Sequence, residues 1–98
     1  MPRILVLWLL ALAAACAQAS TAQAAPIDDA YDRAEEQLEA GNYEEAAKAA
    51  RRIIRLAETD GWRFSGYNML GRALLNGGDP AGAEEAFTNG AAITLAND

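Results

Sequence analysis

Four carboxylates stand at regular intervals near the middle of this sequence. Asp28, Asp32, Glu35 and Glu39 are four, three and four residues apart. On a helix that spacing puts all four on one stripe. Paired carboxylates can do acid–base work, and clustered ones can hold calcium. Both tasks need side chains that converge on one point, whereas a straight helical stripe makes them diverge. The stripe therefore reads as a solvated face or as one wall of a groove. Other reactive groups are sparse. The chain has no histidine and one cysteine, Cys16. With no histidine and, after export, no Cys16, the chain lacks the commonest general base, the commonest metal ligand and the commonest thiol nucleophile. Ser65 stands in no Gly-x-Ser-x-Gly frame. Gly77-Gly78-Asp79 lacks the Lys-Ser/Thr of a phosphate loop and reads as a helix cap. The expectation is a protein that is not an enzyme and takes no cofactor or metal.

A second charged stripe is basic. Lys48, Arg51 and Arg55 share one helical face, with Arg52 beside it. One reading is a solvated outer face, with Glu44 and Lys48 paired at i,i+4 and the cations near the helix's negative end. The other is contact with an acidic partner, such as the acidic helix of a second copy. Net charge is −6, from 14 acidic and 8 basic residues. That balance argues against nucleic acid and against holding an anionic membrane by bulk charge.

The elements that must position these stripes begin after a leader. Arg3 supplies a positive start, and residues 4 to 17 are apolar, too short for a membrane span of roughly 20 residues. The pattern reads as a secretory signal peptide over residues 1–24. Ala17-Gln18-Ala19 and Ala22-Gln23-Ala24 are both cleavage candidates, and the small polar run around Ala24 favours the second. Cys16 keeps another reading open, a lipid-modified cysteine, although Ala13, Ala14 and Ala15 lack the usual bulky aliphatic residue. A retained membrane anchor is the remaining reading. Cleavage after Ala24 leaves 74 residues, removes Arg3 and no acid, and gives a net charge of −7. A domain this small buries only about 60% of its unfolded surface. Without a disulfide it should be marginally stable unless it self-associates or docks.

Residues 25–27 read as a short linker, followed by four helices. The first is expected from about Asp28 to Ala40, with Ile27, Ala30, Tyr31, Ala34 and Leu38 on one face. Gly41 ends it, and Asn42 with Glu45 predicts a capping box for the second helix, to about Glu58. That helix carries Tyr43, Ala46, Ala47, Ala50, Ile53, Ile54 and Ala57. Thr59-Asp60-Gly61 signals a break. The third helix is expected from Trp62 to Asn76, with Phe64, Tyr67, Leu70, Gly71, Leu74 and Leu75 inward. Gly77-Gly78 stops it. Asp79 caps the fourth helix, and Pro80 occupies its first position, where a missing amide proton is harmless. Ala83, Ala86, Phe87, Ala91 and Ile93 or Leu95 are expected inward. No segment has the alternation of a strand, so the fold class is all-α.

The two halves match at an offset of 37 residues: Ala30, Ala34, Gly41, Ala46 and Ala50 align with Tyr67, Gly71, Gly78, Ala83 and Phe87. The second half, Tyr67-x2-Leu70-Gly71-x2-Leu74 followed by Ala83-x3-Phe87, resembles the tetratricopeptide repeat. The first half is degenerate, with Arg33, Gln37 and Ala50 at the Leu, aromatic and Phe positions. The three residues beyond the family's usual period of about 34 are expected between Leu56 and Phe64. The resemblance implies two antiparallel helix–turn–helix repeats over 28–96 (28–58 and 62–96), stacked as a short right-handed α-solenoid. Two repeats fall below the roughly three that stack independently. An exposed apolar flank is therefore expected on the last helix pair, covered by self-association or a partner.

In this family the first helix of each pair lines a concave surface that binds extended peptides. The resemblance thus implies a groove with Asp28, Asp32, Glu35 and Glu39 on one wall. Shifting the stripe by 37 residues gives Ser65, Met69, Arg72 and Asn76 for the other, joined by Asn68. Glu35 is expected to pair with Arg72, and the groove would suit a basic or polar peptide. It lacks the lysine-rich clamp by which some members hold a terminal carboxylate. The functional expectation is an exported protein–protein interaction or adaptor module of the bacterial envelope, in the periplasm or secreted. The bacterial setting is inferred from the leader style and the alanine-rich composition. Its partner would be a protein or peptide, with self-association as a further expectation. The alternative is a structural subunit of an envelope complex, membrane-bound only through lipidated Cys16.

Overall fold

A computed structural model describes residues 26–96 of the chain. The signal-peptide segment, both cleavage candidates and Cys16 lie outside the described residues. Four helices follow one another: α1 (Pro26–Ala40), α2 (Tyr43–Leu56), α3 (Asp60–Asn76) and α4 (Pro80–Ala96). Among the described residues there is no strand, and no helix is long and apolar enough to cross a membrane.

Two turns with the same backbone pattern join the pairs. At the end of α1 the Gly41 amide donates to Leu38 O at 3.2 Å and the Asn42 amide to Gln37 O at 2.8 Å. At the end of α3 the Gly78 amide donates to Leu75 O at 3.3 Å and the Asp79 amide to Leu74 O at 2.8 Å. Both are Schellman endings, which need a left-handed residue after the helix. Gly41 and Gly78 supply it, with φ of 79° and 89°. Every donor and acceptor in one turn lies 37 residues from its counterpart, so the internal repeat holds at the level of single hydrogen bonds.

The helix starts differ from each other. Asp79 Oδ1 accepts the Gly82 amide at 3.0 Å and so caps α4 as expected. Asn42 makes no side-chain cap, and the expected capping box with Glu45 does not form. Its Nδ2 donates instead to Gln37 Oε1 at 2.9 Å, and Glu45 turns to Lys48 and Arg33. The i,i+4 pair of Lys48 with Glu44 is accordingly replaced by an i,i+3 pair with Glu45 at 3.2 Å.

Three boundaries move. Pro26 and Ile27, read as linker, form the first turn of α1. The second helix stops at Leu56 because Ala57 is extended, with ψ of 125°. Asp60 and Gly61, read as a break, are already helical, because Thr59 Oγ1 accepts the Trp62 amide at 3.2 Å and starts α3 two residues earlier.

Each helix packs on its chain neighbours, and α1 also touches α3. Helix α4 contacts α3 and neither α1 nor α2, so the four helices form an open series and not a closed bundle. Small residues make this packing close: Ala30, Ala34, Ala46, Ala47, Ala49, Ala50, Ala73, Ala83 and Ala86 are all buried. Ile53 is the largest side chain that is fully buried. Gly71 lies directly under Phe87, where an added Cβ would stand 2.5 Å from the ring. Several residues expected inside are instead at the surface: Phe64, Leu75, Phe87 and Ala91 are exposed, and of the alternatives Ile93 and Leu95 it is Ile93 that is partly buried.

Candidate functional site

Helices α1 and α3 lie side by side in the same direction. Tyr31 meets Trp62 near their first turns, and Leu38 and Glu39 share a cleft with Arg72 and Asn76 near their last. That second cleft, about 170 Å³, is lined by Glu35, Leu38, Glu39, Arg72 and Asn76. The 37-residue shift pairs Glu35 with Arg72 and Glu39 with Asn76, and both pairs come together here. Leu38 is the one apolar side chain among the residues lining this cleft. The expected ion pair is absent: Glu35 and Arg72 share the cleft without closing a bridge. Two carboxylates, one guanidinium and one amide thus stand around a single opening. Such a set can accept from cationic or amide donors and give a fork of donors to a carboxylate or a main-chain carbonyl.

The other expected site residues are placed elsewhere. Asp28 and Asp32 are exposed on α1 and outside this cleft, as is Asn68 on α3. Met69 is only 3% exposed and belongs to the core, so its place on a groove wall is corrected. The reason is that α3 is flanked by α2, α4 and α1. A helix packed on three sides buries apolar residues beyond one stripe. Among the described residues no group of three or more Asp, Glu, His or Cys side chains is arranged to hold a metal ion.

An aromatic pair at the other end of the α1–α3 face was not foreseen. Tyr31 and Trp62 meet edge to face, with ring centroids 5.9 Å apart and planes at 75°. With Thr59, Gly61 and Ser65 they line a shallow depression of about 400 Å³. The α1–α3 face therefore runs from an aromatic end with hydroxyls to a charged end, with the carboxylate stripe of α1 along its border.

Two of the other depressions lie off this face. Tyr43, Glu44, Ala47, Lys48 and Arg51 of α2 meet Ala73 and Leu74 of α3, its capping Gly77, and Asp79 around about 280 Å³. This places two cations of the basic stripe beside two carboxylates. The other is an apolar trough of about 460 Å³ on the last helix pair, lined by Leu75, Pro80, Ala83, Phe87 and Ala91 with Glu84 and Thr88. The sequence expectation of an exposed apolar flank corresponds to this trough. Compared with protein-family models, curated proteins and solved structures, the chain matches none.

Proposed function

We propose that this chain is an exported interaction module, built as two tetratricopeptide-like repeats in a short right-handed solenoid, that binds a peptide segment of a partner along the α1–α3 face. The observation that carries this reading is the cleft that brings Glu35, Glu39, Arg72 and Asn76 together from two helices. Its polar groups are preplaced on helices and not on loops, so binding does not first have to order them. The ligand is a basic or polar extended segment. Its cationic side chain meets Glu35 and Glu39, its main-chain carbonyl or an acidic neighbour meets Arg72, and an apolar side chain packs on Tyr31 and Trp62. The role is that of an adaptor in the bacterial envelope, in the periplasm after cleavage behind Ala24.

A peptide-display selection against the purified, exported chain tests this. Selected segments should be rich in Lys or Arg. Glu35→Lys with Glu39→Lys should weaken the best of them by about tenfold or more, equivalent to about 1.4 kcal/mol. Asp28→Lys, outside the cleft, should weaken it less. A failed selection, or a selected peptide indifferent to the double substitution, rejects the α1–α3 face as the site. Mass spectrometry of the N-terminus checks the export step: Ala25 is expected first, and an acylated Cys16 would replace the soluble form by an anchored one.

A further inference from the structure

The two depressions on the α1–α3 face differ in sign as well as in chemistry, and the helix ends account for it. Helices α1 and α3 both begin at the Tyr31–Trp62 end and both finish at the Glu39–Asn76 end. Their dipoles therefore add, positive at the starts and negative at the finishes. The positive starts already meet acids of the chain itself: Asp28 and Asp29 in the first turn of α1, and Asp60 in that of α3. Neither helix has a basic residue in its last turn. Glu39 lies in that turn of α1, Asn76 closes α3, and among the described residues neither Glu35 nor Glu39 closes an ion pair. Two carboxylates and two negative helix ends outweigh Arg72, so this cleft suits a cation.

The dimensions of the face restrict the ligand further. A cleft of about 170 Å³ is about 5–6 Å across. It admits a side chain but not a helix, which is about 10–12 Å wide. The midpoint of Glu35 and Glu39 lies six residues beyond Tyr31 on α1, or about 9 Å. Arg72 lies ten residues beyond Trp62 on α3, or about 15 Å. The aromatic and charged subsites are therefore about 12 Å apart. An extended chain advances about 3.3 Å per residue and covers that distance in three or four residues. A helix, at about 1.5 Å per residue, would need about eight.

We propose that the α1–α3 face is a ruler for an extended segment that carries one large apolar side chain and one Lys or Arg, three or four residues apart. This rests on the peptide-binding reading and narrows it to a ligand class. The apolar side chain covers Tyr31 and Trp62 at the helix starts, and the cation enters beside Glu35 and Glu39 at the helix finishes. Each contact is small, and the short link between them makes the second intramolecular once the first has formed.

Cleavage behind Ala24 removes Trp8 and leaves Trp62 as the only tryptophan, so its emission reports the aromatic subsite directly. The probes are Ser/Gly host peptides bearing one Leu and one Arg placed one, three, four or eight positions apart. Titrated into the purified exported chain, spacings of three and four should bind about tenfold more tightly than spacings of one and eight, and should shift the Trp62 emission. Glu35→Lys with Glu39→Lys should remove that advantage while circular dichroism shows unchanged helix content. Equal affinity at all spacings, a best spacing of eight, no binding at any spacing, or binding that leaves the Trp62 emission unchanged would each overturn the ruler. If the double substitution still weakens a bound peptide in such a case, the cleft stands as a peptide site without a ruler. Peptides that bind but ignore the double substitution overturn the peptide-binding reading together with the ruler.

Discussion

The hairpins α1–α2 and α3–α4 share a turn down to individual hydrogen bonds, yet they place their bulk one helical turn apart. At the crossing the first hairpin has Ala34 and Ala50, both fully buried, and the second has Gly71 and Phe87. Three residues on, the order reverses: α2 has buried Ile53 and α4 has Gly90. The consequence is a difference in what each large side chain holds. Ile53 lies against Gly66 of the next hairpin and ties the two together, whereas Phe87 lies on Gly71 of its own hairpin. Phe87, 37% exposed, also becomes part of the open trough. A conserved turn thus leaves a repeat free to secure either itself or its neighbour.

The sharpest test exchanges bulk for none at the matched positions. Ile53→Ala empties a fully buried site at the joint between hairpins and should lower stability by about 2–4 kcal/mol. The same final residue at the equivalent place, Gly90→Ala, should be neutral or raise stability by up to about 1 kcal/mol. Its new Cβ would stand 3.4 Å from Tyr67 Cβ, an ordinary contact, and alanine favours helix over glycine by about that amount. Urea unfolding of the purified chain, followed by circular dichroism, reads both. Equal losses at the two positions would mean that the hairpins do not differ in this way.

A smaller effect separates two glycines that each lie under a large side chain. At Gly66 an added Cβ would stand 2.7 Å from Ile54 Cγ1 and 3.2 Å from the Ile54 amide nitrogen, and backbone cannot swing aside. At Gly71 the obstacle is the half-exposed Phe87 ring, which can. Gly66→Ala should therefore cost about 2 kcal/mol and Gly71→Ala about 1 kcal/mol, after the gain in helix propensity is included. A larger loss at Gly71 in the same unfolding experiment would mean that the crossing, and not the joint, is the tighter contact.

The parts of this architecture that were legible in the sequence are those set by local backbone needs. Gly41 and Gly78 mark left-handed endings that a side chain resists, and Asp79-Pro80 marks a start. These signals act within a few residues, so they survive any tertiary context. That Glu35 and Glu39 share a cleft with Arg72 and Asn76 was legible because the internal period carries one helix onto the other, although the expected Glu35–Arg72 ion pair does not form. The Tyr31–Trp62 contact was not, because it is offset by 31 residues and falls outside that period. Met69 and Leu75 were misplaced for a tertiary reason. Helix α3 is covered on several sides, so one stripe does not describe its burial, and Leu75 lines the open trough beside α4. Gly61 misled because a glycine usually breaks a helix, but in the first turn after the Thr59 cap its open surroundings make little difference.

The two turns offer a balanced pair of substitutions. Gly41→Ala and Gly78→Ala each force a Cβ into a left-handed conformation with nothing else within 4 Å of it. The strain is purely local, about 1–2 kcal/mol. Because the hydrogen bonds match, the two losses should agree within about 0.5 kcal/mol, and their sum should hold in the double variant, since distant sites add. A markedly larger loss at either glycine in the unfolding midpoint would show that the turns differ in more than their sequence.

The smallest difference lies at the helix starts, where the hairpins part company without any change in packing. Asp79 caps α4 through the Gly82 amide, and its carboxylate sits at the positive end of the helix. Asp79→Ala should cost about 1 kcal/mol. Asn42 occupies the same place before α2 but caps nothing there, because its side chain is engaged with Gln37 on the preceding helix. Asn42→Ala should cost only a few tenths of a kcal/mol, the net worth of an exposed hydrogen bond. Asn42→Asp then sharpens the contrast. It removes the amide donor to Gln37 and offers a carboxylate that can cap α2, so stability should rise slightly above that of Asn42→Ala. If Asn42→Asp falls below Asn42→Ala instead, the link to Gln37 matters more to the first turn than a cap does.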